Sequence, residues 1–396
     1  MANELISGVG VVLYATKEGT FGAHRPLAGG YAMRTLSESF TPAEEREPRP
    51  DRSGSADHLA RIKGRKSATW EVSKLILPNG TAGTPPDDHE IWENALGNAV
   101  IDASGVTYSL ATAHNTTLTL RRGVRANGDG SSEFQEHVRG AVASRTEISW
   151  GNQGQNGLAS VSFGGDAKDW GFTGNTTLNN TDVAGILVST LTSTFDNVKQ
   201  LTPGSLFKMK LDTGGGSGII VDSINVTNKT IVWSEGLEAT HANTALTPYN
   251  PTESTNGEPI HGRIGLLSLN GSSTVIKHVG GRVTLEDNRS LLNEEVGSDS
   301  GSRVLRDDRR NVTFSMEFLI KKEEVPDLLG SAFAQSGVNV QVNVGDAPGK
   351  TLQLLMTNGD LDLQPIDMPD QANARYTMQG QALGTSGNDS ITVRFR

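Results

Sequence analysis

Apolar and polar positions alternate with a period of two over many short stretches of this chain, as half-buried β-strands require. GVGVVLYAT opens the first half as a strand, and turn-rich FGAHRPLAGG follows it. YAMRTLSESF alternates, and so does ATWEVSKLILP, where Trp70, Val72 and Leu75 interleave with polar neighbours. Between those two runs the pattern predicts a long loop from Ala43 to Lys63. NGTAGTPPDD then stops the strand, and HEIWENALG changes to helical spacing with Ile91, Trp92, Ala95 and Leu96 on one face. Asp87 or Asp88 is placed to cap that helix. TYSLA, TTLTLRRGV, FQEHVRGAVASRTEISW and GLASVSFGGDAKDW complete the half as short β segments.

The second half repeats this order. GRIGLLSL and STVIKHVGGRVTLED lead into a charged loop, and NVTFSMEFLI leaves it as a strand. KKEEVPDLLGSAFA predicts a helix with Val325, Leu328, Leu329 and Phe333 on one face, Pro326 being tolerable only near its start. VNVQVNV, TLQLLMT, DLQPIDM, ARYTMQGQAL and SITVRFR follow as strands. Placing Trp70 over Phe314 sets Arg65-Lys66 over Arg309-Arg310 and Thr69 over Thr313. The expected fold is therefore mainly β: two copies of a β module with a short flanking helix, residues 1–180 and 251–396. Between them residues 181–250 read as a small inserted β barrel or sandwich, with turns at TGGGSG and NVTNKT. Trp70, Trp92, Phe314 and Leu328 are the expected core anchors.

Composition agrees with many strands and turns: 396 residues, 35% hydrophobic, 5% aromatic, 46 glycines. The absence of cysteine excludes disulfides, thiolate catalysis and zinc–thiolate sites. A net charge of −10 argues against non-specific phosphate binding. The first residues lack a basic segment and a cleavage site, and no apolar run approaches the roughly 18 residues of a membrane span. The expectation is a protein made in the cytosol, without membrane association.

Candidate chemistry is sparse. DTGGGSG is followed by Ile219, Ile220 and Val221, a strand and not the Lys-Ser/Thr and helix of a phosphate loop, so a hairpin turn is expected. Histidines such as His58, His89, His137 and His278 stand singly, without metal-ligand spacing. Asn127-Gly-Asp129 and Asn358-Gly-Asp360-Leu-Asp362 lack the full calcium-loop pattern and read as type I′ turns. Glu44-Glu45 and Glu294-Glu295 sit in polar loops with nothing apolar to raise a carboxyl pKa for acid–base work. No catalytic, cofactor or metal site is expected, and the chain is not expected to be an enzyme.

The two charged loops remain. The first holds Glu44, Glu45, Arg46, Glu47, Arg49, Asp51, Arg52, His58 and Arg61; the second holds Arg289, Glu294, Glu295, Asp299, Arg303 and Arg306. Recurrence at one place in both halves, with mixed charge signs, suits repeated contact between identical neighbours. These residues are the expected inter-subunit contacts.

The ordered combination of GVGVVLYATKEGTFGAHRP with FTPAEEREPRPDRSGSADHLARIKGRKSATWEVSKLILPNGTAGTPPDDHEIWENALG resembles the tail tube (major tail) proteins of long-tailed, non-contractile bacteriophages, and the second half resembles them more loosely. The resemblance implies β-sandwich modules whose strands join into a barrel around a DNA channel, in rings that stack through the long loops. A duplicated chain implies trimers with pseudo-six-fold symmetry, in a virion tail assembled in the host bacterial cytoplasm. Implied partners are further copies of the chain, tail terminator and tail-tip proteins, and a tape measure protein in the lumen. Viral double-stranded DNA would pass without specific binding, through a negative or neutral bore. Two other classes compete: a virion decoration protein that binds host glycans through the insert, where Trp233 is the lone Trp, and a polysaccharide-degrading enzyme, for which no paired-carboxylate cleft is evident.

Overall fold

The computed structural model describes residues 11–25, 27, 29–48, 61–112, 114–125, 132–174, 176–177, 181–182, 187–190, 202–209, 219–235, 241–242, 245–251, 257–270, 278–292, 295–296, 298–319, 330, 337–345, 347–368 and 374–396. The protein is mainly β. In chain order the first part holds β1 (Val11–Lys17), β2 (Ala32–Met33), β3 (Ser37–Pro48), β4 (Arg61–Leu75), α1 (His89–Leu96), β5 (Gly97–Asp102), β6 (Gly105–Leu110), β7 (Leu118–Arg125), β8 (Ser132–Ala141), β9 (Arg145–Gly151), β10 (Ser160–Ala167) and β11 (Asp169–Gly174). Then come β12 (Thr176–Thr177), β13 (Thr181–Asp182), β14 (Val188–Thr190), β15 (Leu206–Met209), β16 (Ile219–Asn225), β17 (Thr230–Trp233), β18 (His241–Ala242) and β19 (Ala245–Pro248). The last part holds β20 (Gly265–Leu269), β21 (His278–Glu286), β22 (Arg289–Leu291), β23 (Val304–Arg306), β24 (Asn311–Leu319), β25 (Val338–Val344), β26 (Leu352–Asp362), β27 (Arg375–Ala382) and β28 (Ile391–Phe395).

A long antiparallel sheet runs β3-β4-β10-β9-β21-β24-β27-β26-β28-β6-β5, with β25 beside β26 and β20 beside β25. A five-stranded sheet, β11-β8-β7-β1-β2, packs over its first strands. Between them lies one core: Leu13 and Ala15 of β1, Leu118 and Leu120 of β7 and Val138 of β8 meet Trp70, Val72 and Phe163. Trp92 of α1 sits at its centre, stacked on Tyr108 at 6.0 Å and edge-on to Phe163 at 5.0 Å and Phe395 at 5.8 Å. Those three partners come from three distant parts of the chain, and each aromatic pair adds about 0.5–1.5 kcal/mol to the area it buries. Trp70, Trp92 and Phe314 are buried as the pattern predicts, while Leu328 lies outside the described residues.

Two runs of pairings share one order. β1 pairs β7, β7 pairs β8, and β8 pairs β11; likewise β20 pairs β25, β25 pairs β26, and β26 pairs β28. β3-β4-β10-β9 is matched by β21-β24-β27-β26. Within the two ladders Trp70 lies opposite Gly165 and Phe314 opposite Gly380. A ring on one strand thus faces a residue without a side chain on the next.

Several local expectations are corrected. The expected Ala43–Lys63 loop begins and ends as a β-ribbon, since β3 and β4 stay paired out to Pro48↔Arg61, and residues 49–60 lie outside the described residues. The second loop also carries a hairpin, β22 with β23. YAMRTLSESF breaks into β2 and β3. TLQLLMT and DLQPIDM are one strand: Asn358, at φ 53°, bends β26 so that residues 352–356 pair with β25 and β28 while residues 359–362 pair with β27. A left-handed Asn followed by glycine supplies a bulge there in place of a turn. Asp88 occupies the helix N-cap position but makes no side-chain cap bond. Its carboxylate turns to the fully buried Lys74 at 3.3 Å, and burial pushes its pKa up to about 6 against the pull of that ammonium. Asn127-Gly-Asp129 and the second helix, apart from Gly330, lie outside the described residues.

The strands of residues 176–248 form a six-stranded sheet, β12-β19-β15-β16-β17-β14, and β13 pairs β18 separately. β15 and β16 pair antiparallel across the glycine-rich stretch. This sheet covers the outer face of the five-stranded sheet. Alternation along β1 explains how: Leu13 and Ala15 point to the main core, while Val12 and Tyr14 pack with Leu206, Ile220 and Tyr249. Trp233 is buried and donates to Ser189 Oγ at 2.6 Å.

Candidate functional site

Because side chains alternate across a strand, the ladder β3-β4-β10-β9-β21-β24-β27-β26 turns every second residue away from the core. That outer face is mostly Ser, Thr, Gly and Gln with charged residues between them, and Leu319 at the end of β24 is exposed on it. Leaving aside the charged β3–β4 extension, the face carries among the described residues seven carboxylates, Glu71, Glu147, Asp166, Glu286, Glu317, Asp360 and Asp362, against three arginines, Arg145, Arg282 and Arg375. Each arginine is engaged. Arg145 and Arg282 reach Glu147 at 3.2 and 3.3 Å, and Arg375 binds Glu317 at 2.5 Å. The hydrogen bond from Arg375 holds the Glu317 carboxyl below its ordinary range. The face is therefore polar and net acidic, with its cations already paired.

The middle of this ladder is a joint between chain regions far apart in sequence. β9 pairs β21 over Arg145↔Glu286, Ser149↔Arg282 and Gly151↔Gly280. The two ends of the ladder differ from its middle. Among the described residues β3 pairs β4 alone, and beyond Gly359 β26 pairs β27 alone. Leu36, just before β3, and Leu363, just after β26, are exposed. Exposed apolar side chains beside unpaired edges mark surface that another strand can cover.

The two charged hairpins leave the same end of the ladder and touch. Lys66 N–H donates to the Asp299 carbonyl at 2.8 Å, and Arg65 to that of Glu295 at 3.1 Å. Glu45 and Arg46 are exposed on the β3 extension, with Arg46 paired to Glu44. Arg303 approaches Glu295 at 3.6 Å, and Asp299 is exposed. Glu47 and Arg61 are described as backbone in β3 and β4, while Arg49, Asp51, Arg52, His58 and Glu294 lie outside the described residues.

Arg289 requires correction. It is not exposed on a contact loop but 3% exposed inside the protein. Its guanidinium donates to the Asn94 and Ala143 carbonyls at 2.6 and 2.7 Å and pairs with Asp287. Arg306 and Arg310 join the same carboxylate at 3.0 and 2.5 Å, and Arg310 also donates to the Ala111 carbonyl. Burial, partly offset by Asp287, brings Arg289 down to about 10, and burial beside these arginines brings His114 down to about 3. The cluster pins the second hairpin to the C-terminal end of α1, where helix carbonyls favour a cation.

The sequence pattern missed the acidic face as a unit and missed Asp287. Strand phase alone could have found the first, since the carboxylates all fall on the polar positions. Two histidines that look scattered also meet, with His24 and His137 ring centres 5.0 Å apart. Among the described residues no helix is long and apolar enough to cross a membrane. No protein-family model matches the chain, and no curated protein matches it.

Proposed function

We propose that the chain is a structural tube subunit, of the kind that forms the tail tube of a long-tailed bacteriophage virion. In this reading it is a duplicated module, residues 1–180 and 251–396, with residues 181–250 inserted. The carrying observation is the β9–β21 joint, in which one half-ladder closes onto the next within a single chain. Repeating that joint between chains, β26 of one copy to β3 of the next, builds a ring, and three copies give six half-ladders. Closure removes the open edges that otherwise invite irregular association.

The polar face lines the bore. With four more carboxylates than arginines per chain and its arginines paired, it offers DNA no counterion-releasing contacts, so the duplex slides. The insert, which packs on the far side of the five-stranded sheet, decorates the outside. The hairpins stand at the rim where one ring meets the next. Tape measure, terminator and tip proteins are the further partners this assembly requires, and no membrane or enzymatic activity enters. Among the described residues the insert's aromatics, Phe207, Trp233 and Tyr249, are all buried, which leaves no platform for stacking on sugars.

Electron microscopy of the purified protein at rising concentration tests this reading. Rings or stacked tubes with a central channel are the expected result. Discrete monomers at every concentration would count against it.

A further inference from the structure

We propose that residues 202–205 form an acid-labile clamp that holds the six-stranded sheet onto the five-stranded one. His24 and His137 meet edge to face at 5.0 Å. Arg121, fully buried, donates from Nη1 to the Gly204 carbonyl at 2.9 Å and from Nη2 to His24 Nδ1 at 3.1 Å. The Pro203 carbonyl lies against both rings. Thr202 and Ser205 donate their hydroxyls to the Phe172 carbonyl at 3.2 and 3.3 Å. Gln135 donates to the Tyr249 carbonyl and Asn250 Oδ1, both at 2.9 Å, and Tyr14 to the Pro251 carbonyl at 2.7 Å. Gly204, at φ 90°, lies so close to His24 that a Cβ there would overlap the ring.

The charge around the two rings is one-sided. Arg121 on β7 and Arg139 on β8 face them, and Arg139 is itself paired with Asp169 on β11 at 2.5 Å. Glu18, at the end of β1, is the acid within range of Arg121, but its carboxylate is taken by Gly22 and Gly140 N–H and by Thr117 and Thr119. Residues 202–205 bring hydroxyls and carbonyls and no acid. A proton on His24 Nδ1 would point at the Arg121 guanidinium, and one added to His137 would be buried beside two arginines. The docked state thus holds both rings neutral, with burial the main cause and the arginines adding to it.

The sign follows. Released histidines titrate near 6.5, so above that pH both states are neutral and the clamp is at full strength. As pH falls below 6.5 the released state binds protons that the docked state refuses. His137 then weakens docking tenfold per pH unit, and His24 by up to tenfold more. The raised carboxyl of Glu18 acts in the opposite sense, but its four hydrogen bonds stay within the five-stranded side and survive release.

The chain has no cysteine, so single thiols report cleanly. Ala32→Cys places one under the six-stranded sheet, and Ala68→Cys places one in the main core. Labelling by 4,4′-dithiodipyridine is measured from pH 8 to 5, each rate divided by that of the same variant unfolded. Labelling of the Ala32→Cys variant is expected to rise about 10- to 100-fold per pH unit below 6.5 while the Ala68→Cys variant stays protected. Adding His137→Gln should flatten the slope about tenfold per unit, and adding Gly204→Ala should expose the thiol at position 32 already at pH 8. A flat profile at position 32, a parallel rise at position 68, or protection of position 32 in the Gly204→Ala background would each overturn the clamp. Should His137→Gln fail to fold, the two single-thiol profiles still decide.

Discussion

Replacing Asp287 with Ala is expected to cost about 3–5 kcal/mol of stability, a loss that urea denaturation will resolve. The carboxylate is 1% exposed and receives Arg289, Arg306 and Arg310 together. Deleting one member of a buried ion cluster leaves the others charged, desolvated and unpaired, and that penalty exceeds whatever net benefit the pairs supplied. Arg289 would retain only the carbonyls of Asn94 and Ala143, and Arg310 that of Ala111 with the Asn388 side chain. The damage should extend beyond one loop, since these contacts tie the second hairpin to α1 and to the β8–β9 connection. Asp287→Asn keeps an acceptor and loses the charge, so it should fall between the two. A change below about 1 kcal/mol in Asp287→Ala would show that the cluster is not holding the fold.

Leu363→Asp is expected to do the reverse, leaving the single chain intact and abolishing assembly. Leu363 is 53% exposed, and a surface change of this kind normally shifts stability by no more than about 0.5 kcal/mol. The joint inside the chain gives the environment expected for it in the proposed ring. Arg145 lies opposite Gly164, the residue before Gly165, and Asp362 lies opposite Gln379, the residue before Gly380. Leu363 therefore corresponds to Thr146, which β21 covers to 3% exposure. An unpaired carboxylate buried at that place costs about 3 kcal/mol or more, over 100-fold per joint, and a closed ring of three needs three joints. Sedimentation velocity should find folded monomers where the natural sequence is expected to form rings. Rings at the same concentration would place Leu363 outside the joint.

Local alternation carried much of this fold, because burial on one face writes itself into every second residue. Trp70, Val72, Phe314, Met316 and Phe318 all announce their strands, and Ile91, Trp92, Ala95 and Leu96 announce α1. What alternation does not carry is the identity of the strand that covers an edge. The pairing of Arg145 with Glu286 spans regions far apart in sequence, and nothing near either residue encodes it. Charge misled for a related reason. Arg289 looks like its exposed neighbours in a polar run, and only the carbonyls of Asn94 and Ala143, brought from elsewhere, make its burial tolerable. Asn358-Gly359 has turn chemistry, yet tertiary pairing on both sides keeps the strand running through it. His24 and His137 belong to different elements, so spacing never relates them.

Chains are expected to join as β9 joins β21. Phe40 lies opposite Trp70 as Val283 lies opposite Phe314, so Ala43 holds the place of Glu286, and Asp362 that of Arg145. The natural chain contains no thiol, and both positions are exposed. Ala43→Cys with Asp362→Cys, oxidised in assembled particles, should therefore give disulfides between chains, ending in a covalent trimer on a non-reducing gel. Arg145→Cys with Glu286→Cys should close within one chain and serves as the control. A control that closes while assembled chains carrying Ala43→Cys and Asp362→Cys stay monomeric on the gel would contradict the joint.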